Sequence, residues 1–113
     1  MANTLFSATA REATQLPAAS LQTAPPGGIL SQTLLSCVGG KAMHFALDEG
    51  EELTEHTNPH QALVIVTRGR LIITAGGEQF ELNPGDHLHF PPQLAHAVRA
   101  PEPAAFTLLL LKP

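Results

Sequence analysis

From Ile29 onward the chain is a succession of short β-prone runs, each cut off by glycine or proline. ILSQTLLSCV is followed by Gly39-Gly40, and KAMHFALD by Glu49-Gly50. QALVIVT leads into Arg68-Gly69, and RLIITA into Gly76-Gly77. EQFELN stops at Pro84-Gly85, DHLHF at Pro91-Pro92 and AHAVRA at Pro101, and FTLLLLK closes the sequence. Breaks this frequent leave no room for the crossover helices of a parallel α/β sheet, so the pattern predicts an all-β sandwich or barrel. Glycine supplies the positive φ of tight turns, and the Arg68-Gly69-Arg70 and Ala75-Gly76-Gly77-Glu78 junctions read as hairpins.

The segment before these runs is different. Residues 1–28 are rich in Ala, Thr, Ser and Pro and end in the breaker Pro25-Pro26-Gly27-Gly28. A short helix over residues 7–15 is compatible with them, but they lack the apolar periodicity to found a core. They read as an arm, either loosely ordered or docked on a neighbouring subunit, ahead of one barrel domain at 29–113. A chain of 113 residues is long enough for a single core and short for two.

Composition narrows the function. Six Lys and Arg are scattered over a chain of net charge −4, whereas a phosphate-tracking surface needs clustered positive charge. Five Phe with no Tyr or Trp make a base-stacking platform equally poor. Nucleic acid is therefore not an expected partner. No apolar run reaches the ~18 residues of a membrane helix, and the N-terminus lacks the basic and apolar regions of a signal peptide. The lone Cys37 permits no internal disulfide, which suits a reducing, cytoplasmic setting. In its apolar strand Cys37 reads as a small buried hydrophobe.

The chemistry concentrates in EHTNPHQAL, residues 55–63, where His56 and His60 flank Asn58-Pro59. Alternate strand residues share a face, so His56, Asn58, His60 and Ala62 have one parity. Pro59 lacks an N–H and often marks a bulge that resets parity, in which case Gln61 becomes the inward oxygen donor. His87 and His89 share the strand face opposite Leu88 and Phe90, either toward solvent or an interface or, for His89, toward a cavity. His44 alternates with Met43 and Phe45 and reads as a surface or interface residue. The carboxylates Asp48, Glu49, Glu51, Glu52 and Glu55 around Gly50 read as a solvated loop. No nucleophile elbow, phosphate loop or C-x-x-C motif competes.

Two motifs resemble those of small single-domain, RmlC-like cupins, whose barrel is a jelly-roll-like double-stranded β-helix. Gly50, His56 and Gly69 fall in register with the first motif, G(X)5HxH(X)3–4E(X)6G. Gly85, Pro91 and His96 fall in register with the second, G(X)5PxG(X)2H(X)3N. The resemblance runs from Lys41 to the end of the chain. It implies a metal held by two His and one Glu of the first motif and one His of the second. Here the second His position is Asn58, the Glu position Ala62, the second-motif glycine Gln93 and its closing Asn Ala100.

His56, His60 and His96 with water would make a site for a divalent transition metal such as Zn, Ni, Fe, Mn or Cu. Asn58, Gln61 and His89 are the candidate ligand-binding residues beside it. Without the third ligand, the expectation is a metal-free barrel in which His56 and His96 meet each other, water or a small molecule. Three functions follow: a small-molecule-binding cupin using a metal; a metal-dependent dioxygenase, isomerase or decarboxylase; or a metal-free binding or sensing module. The LLLL run at 108–111 and the early ILSQTLLSCV strand exceed what one small barrel covers, so a homodimer is expected.

Overall fold

Where the sequence places turn residues, the backbone changes direction. The computed structural model describes residues 4–112 and contains nine strands among them. They are β1 (Ile29–Cys37), β2 (Gly40–Leu47), β3 (Glu52–His56), β4 (Gln61–Arg68) and β5 (Leu71–Ala75), followed by β6 (Glu78–Leu82), β7 (His87–Phe90), β8 (His96–Arg99) and β9 (Ala104–Leu111). One sheet has the order β1-β2-β9-β4-β7 and the other β3-β8-β5-β6, with every pairing antiparallel. From β2 onward the chain passes repeatedly between the sheets, which is the winding of a double-stranded β-helix.

The two expected hairpins have different outcomes. Gly76 and Gly77, at φ 60° and 81°, turn β5 back onto β6 with Ala75 opposite Glu78, a tight hairpin as the sequence predicts. Gly69 makes no hairpin, because β4 and β5 lie in different sheets. At φ 67° it carries the chain across the gap, and a side chain there would collide with the Pro103 carbonyl and Ala104. The glycine is required by that close approach as well as by its φ.

Strand alternation sets the core. Ala62, Val64 and Val66 of β4 point inward against Leu71, Ile73 and Ala75 of β5, all buried. Phe45 and Phe106 stack with ring centroids 5.0 Å apart and planes 9° from parallel. Each fully buried Val, Leu, Ile or Phe among them contributes about 1.5–3 kcal/mol by leaving water. Leu63, Ile65 and Leu109 fall on the outer face of the five-stranded sheet and stay half-exposed.

The arm has one 3-10 turn, Ala18–Ser20, and residues 7–15 form turns and bends instead of the helix considered above. Their side chains are exposed throughout, so a helix there would bury no face to offset its nucleation cost. The arm lies on its own chain: Leu5 and Phe6 donate backbone N–H groups to Thr33 and Leu34 of β1 at 3.0 and 2.7 Å. Gly27 N–H donates to Asp48 Oδ2 at 2.6 Å, and this bond with the Glu49 N–H holds the Asp48 carboxyl below its ordinary pKa. His44 is buried beneath the arm, not at the surface, with its Nε2–H donated to the Gln22 carbonyl at 2.9 Å. Cys37 also departs from expectation. It is exposed, because it sits at the end of an edge strand just before the Gly39-Gly40 turn.

Candidate functional site

A cavity of ≈ 140 Å³ lies between the two sheets. The five-stranded sheet supplies Phe45, Val64, Phe90, Phe106 and Leu108, and the four-stranded sheet supplies Leu53, His56, His96 and Val98. Only the two imidazoles among these side chains are polar. The antiparallel register of β3 and β8 brings them together as direct cross-strand partners, after an irregularity between Leu53 and His56. Their ring centroids are 4.3 Å apart at 63°, and the His96 ring stacks on Phe90 at 4.2 Å and 13°. His96 is buried and His56 exposed, so the pair runs from the interior to the cavity mouth.

Both rings are held in the same way. His56 Nδ1 meets the Thr54 carbonyl and His96 Nδ1 the Leu94 carbonyl, each at 2.9 Å. Burial pushes the His96 pKa below its ordinary value, partly opposed by the Leu94 carbonyl and reinforced by charge on His56. Burial thus disfavours the charged form of the imidazole inside the barrel.

The other residues singled out from the sequence fall elsewhere. Strand β3 ends at His56 and β4 begins at Gln61, so the shared parity of His56, Asn58 and His60 is broken in the Pro59 loop. Asn58 Oδ1 accepts the His60 backbone N–H at 2.9 Å, and the Asn58 carbonyl accepts the Gln93 N–H at 2.7 Å. Neither Asn58 nor His60 lines the cavity. Gln61 and His89 meet at 2.7 Å, but outside it: Ala62 points inward opposite Phe90, so its neighbour points out. Beyond Val64, the next inward position of β4, Val66, belongs to the core and not to the cavity wall.

A metal of the kind the first motif implies does not fit this donor set. Ala62 offers a methyl where a carboxylate is expected, and the Asn58 side chain is committed to its own loop. Among the described residues no three His, Cys, Asp or Glu side chains are grouped so as to hold an ion.

The sequence reading missed the aromatic wall. Alternation in KAMHFALD does place Phe45 opposite His44, but the uninterrupted LLLL at 108–111 hides which leucines face inward. Only the register with β2 and β4 resolves it, with Leu108 opposite Met43 and Val64. At Gln93 the structure adds to the motif reading. It is the one non-glycine residue at positive φ (68°) among those described, at the position where the second motif has glycine.

Comparison with known proteins agrees with the architecture. The cupin domain family model matches residues 43–111, and the chain belongs to that family. A conserved protein of unknown function from Streptococcus pyogenes is 24% identical with a TM-score of 0.80, over 98% of this chain and 96% of that one. A cupin superfamily protein from Desulfitobacterium hafniense is 24% identical with a TM-score of 0.82, over 90% and 94% of the two chains. A predicted oxalate decarboxylase from Thermotoga maritima is 14% identical with a TM-score of 0.72, over 77% and 83%. At these identities the likeness is one of fold. No curated protein matches the chain.

Proposed function

We propose that this cupin is a binding module that takes a small, mainly apolar molecule into the barrel, with His56 and His96 as its polar anchor and no resident metal. The observation that carries the reading is the cavity itself: apolar walls with two convergent imidazoles, the usual make-up of a small-molecule site. A thermal-shift and calorimetric screen of ring-sized molecules tests it. Binding that weakens in both His56→Ala and His96→Ala, each confirmed as folded, is the expected result. Binding unaffected by either substitution would move the ligand elsewhere.

A metal-dependent enzyme of dioxygenase, isomerase or decarboxylase type is the competing reading. It is favoured by one observation, the carbonyl-held Nδ1 atoms, which is how ligating histidines are commonly oriented. It requires His60 or another donor to join the pair.

Assembly as a homodimer belongs to the same proposal. Leu63, Ile65 and Leu109 leave the outer face of the five-stranded sheet half-exposed, and Leu111 beside them is 51% exposed. Sedimentation should give a dimer at micromolar concentration and a monomer for Leu63→Glu; a monomeric parent would contradict it. A reducing, cytoplasmic compartment suits the single cysteine, and no helix among the described residues is long and apolar enough to cross a membrane.

A further inference from the structure

We propose that the barrel cavity selects an uncharged ligand that donates hydrogen bonds, a compact diol or phenol, and rejects small carboxylates. The inference rests on the reading of the cavity as a binding site and adds the polarity of what it binds.

The argument begins with the backbone carbonyls of Thr54 and Leu94. A carbonyl only accepts, so each 2.9 Å contact requires the imidazole proton to be on Nδ1. In a neutral ring the other nitrogen, Nε2, then carries a bare lone pair. Neither Nε2 has a protein hydrogen-bond partner among the described residues. With both rings neutral, the pair presents two acceptors and no donor.

Nothing else in the wall supplies one. The remaining lining side chains are hydrocarbon, without Lys, Arg, hydroxyl or amide groups. A carboxylate entering the cavity would lose its hydration and face lone pairs, a cost with no compensating bond. A neutral molecule with adjacent O–H groups has the opposite fit: each hydroxyl donates to one Nε2 while its carbon frame rests on Phe90 and Phe106. The size also matches, since a cavity of roughly 150 Å³ holds a benzene-sized ring and this one is ≈ 140 Å³.

The test uses the full chain, stripped of metal with a chelator and labelled with ¹⁵N-histidine. In the free protein, nitrogen spectra should show the proton on Nδ1 of both His56 and His96. Catechol and trans-1,2-cyclohexanediol should then perturb both Nε2 resonances, with benzoate and cyclohexanecarboxylate binding at least about tenfold more weakly, the scale of one hydrogen bond. His56→Phe and His96→Phe remove an acceptor while keeping volume, and each should lose about tenfold in catechol affinity. Protonated Nε2 in the free protein would overturn the inference, as would carboxylates that bind as tightly as the diols. In the second case the cavity would still be a binding site. Failure of all four probes to bind would overturn the binding reading together with this one.

Discussion

Inside the barrel, His56 and His96 stand edge to face beside Phe90 with both Nε2 atoms turned to no protein partner, whereas on the outer face His44 and His89 spend that same atom on Gln22 and Gln61. The residue type is the same and the strand alternation that places it is the same. The difference is what lies opposite: hydrocarbon within, and an arm or an amide side chain without. His44 and His89 thereby commit Nε2 to structure, although His44 Nδ1 is buried without a hydrogen-bond partner among the described residues. The inner pair leaves Nε2 free on both rings. Capacity of that kind, held in a fixed tautomer and walled by apolar groups, distinguishes a site from a surface.

The two faces should respond unequally to substitution, and the largest contrast is in packing. Phe106→Ala removes a ring that is 2% exposed and stacked on Phe45, and should cost about 3–5 kcal/mol in urea denaturation. A loss below 1 kcal/mol would mean that the inner face is not the core described here. Ala62→Glu restores the carboxylate of the first motif at a position 2% exposed. Without metal it should cost about 2–4 kcal/mol, from crowding and an unpaired buried charge. Parent-like stability in a chelator would reveal room and water that the apolar interior does not have.

The pH response of stability sharpens the same contrast. Burial lowers the folded-state pKa of His96 below its ordinary value. The unfolded chain therefore takes up the proton first, and stability is fully present above about pH 6.5, the unperturbed imidazole value. It should decline as pH falls toward the lower folded-state pKa. His96→Gln should flatten that decline, and His89→Gln on the outer face should leave it in place. Equal flattening by both would erase the distinction between faces.

Smaller effects are expected where the backbone and the surface are concerned. Gln93→Gly relieves a positive φ that costs a side-chain-bearing residue energy, and should raise stability by about 0.5–1 kcal/mol in the same assay. Destabilisation would mean that the Gln93 side chain has a role its backbone bond to Asn58 does not account for. His89→Ala is exposed and bonded only to Gln61, and should stay within about 0.5 kcal/mol of the parent without affecting ligand affinity.

Much of the fold is legible in the sequence because its signals are local. Gly50, Gly76, Gly77 and Gly85 all adopt positive φ, and each ends a run that the sequence marks as β. The glycine at 69 was equally visible, but its role as a passage between sheets depends on Pro103 and Ala104, more than thirty residues away. The site is less legible for the same reason. His56 and His96 are forty residues apart, and only the motif frame joins them before the register of β3 and β8 is known. By strand parity alone His60 faces inward. The loop at Asn58-Pro59 interrupts the strand, and the Asn58 side chain holds the His60 backbone there. His44 illustrates the reverse error, since a polar residue on an outward position becomes buried once the arm lies over it.

The central claim is that two histidines serve as hydrogen-bond acceptors where the family motif would build a metal site. Elemental analysis of untagged protein, after Zn, Ni, Fe, Mn and Cu have each been offered and the excess removed, tests it most directly. The account predicts well under one metal ion per chain, unchanged in His60→Ala. One ion per chain that disappears in His56→Ala and His96→Ala would contradict it.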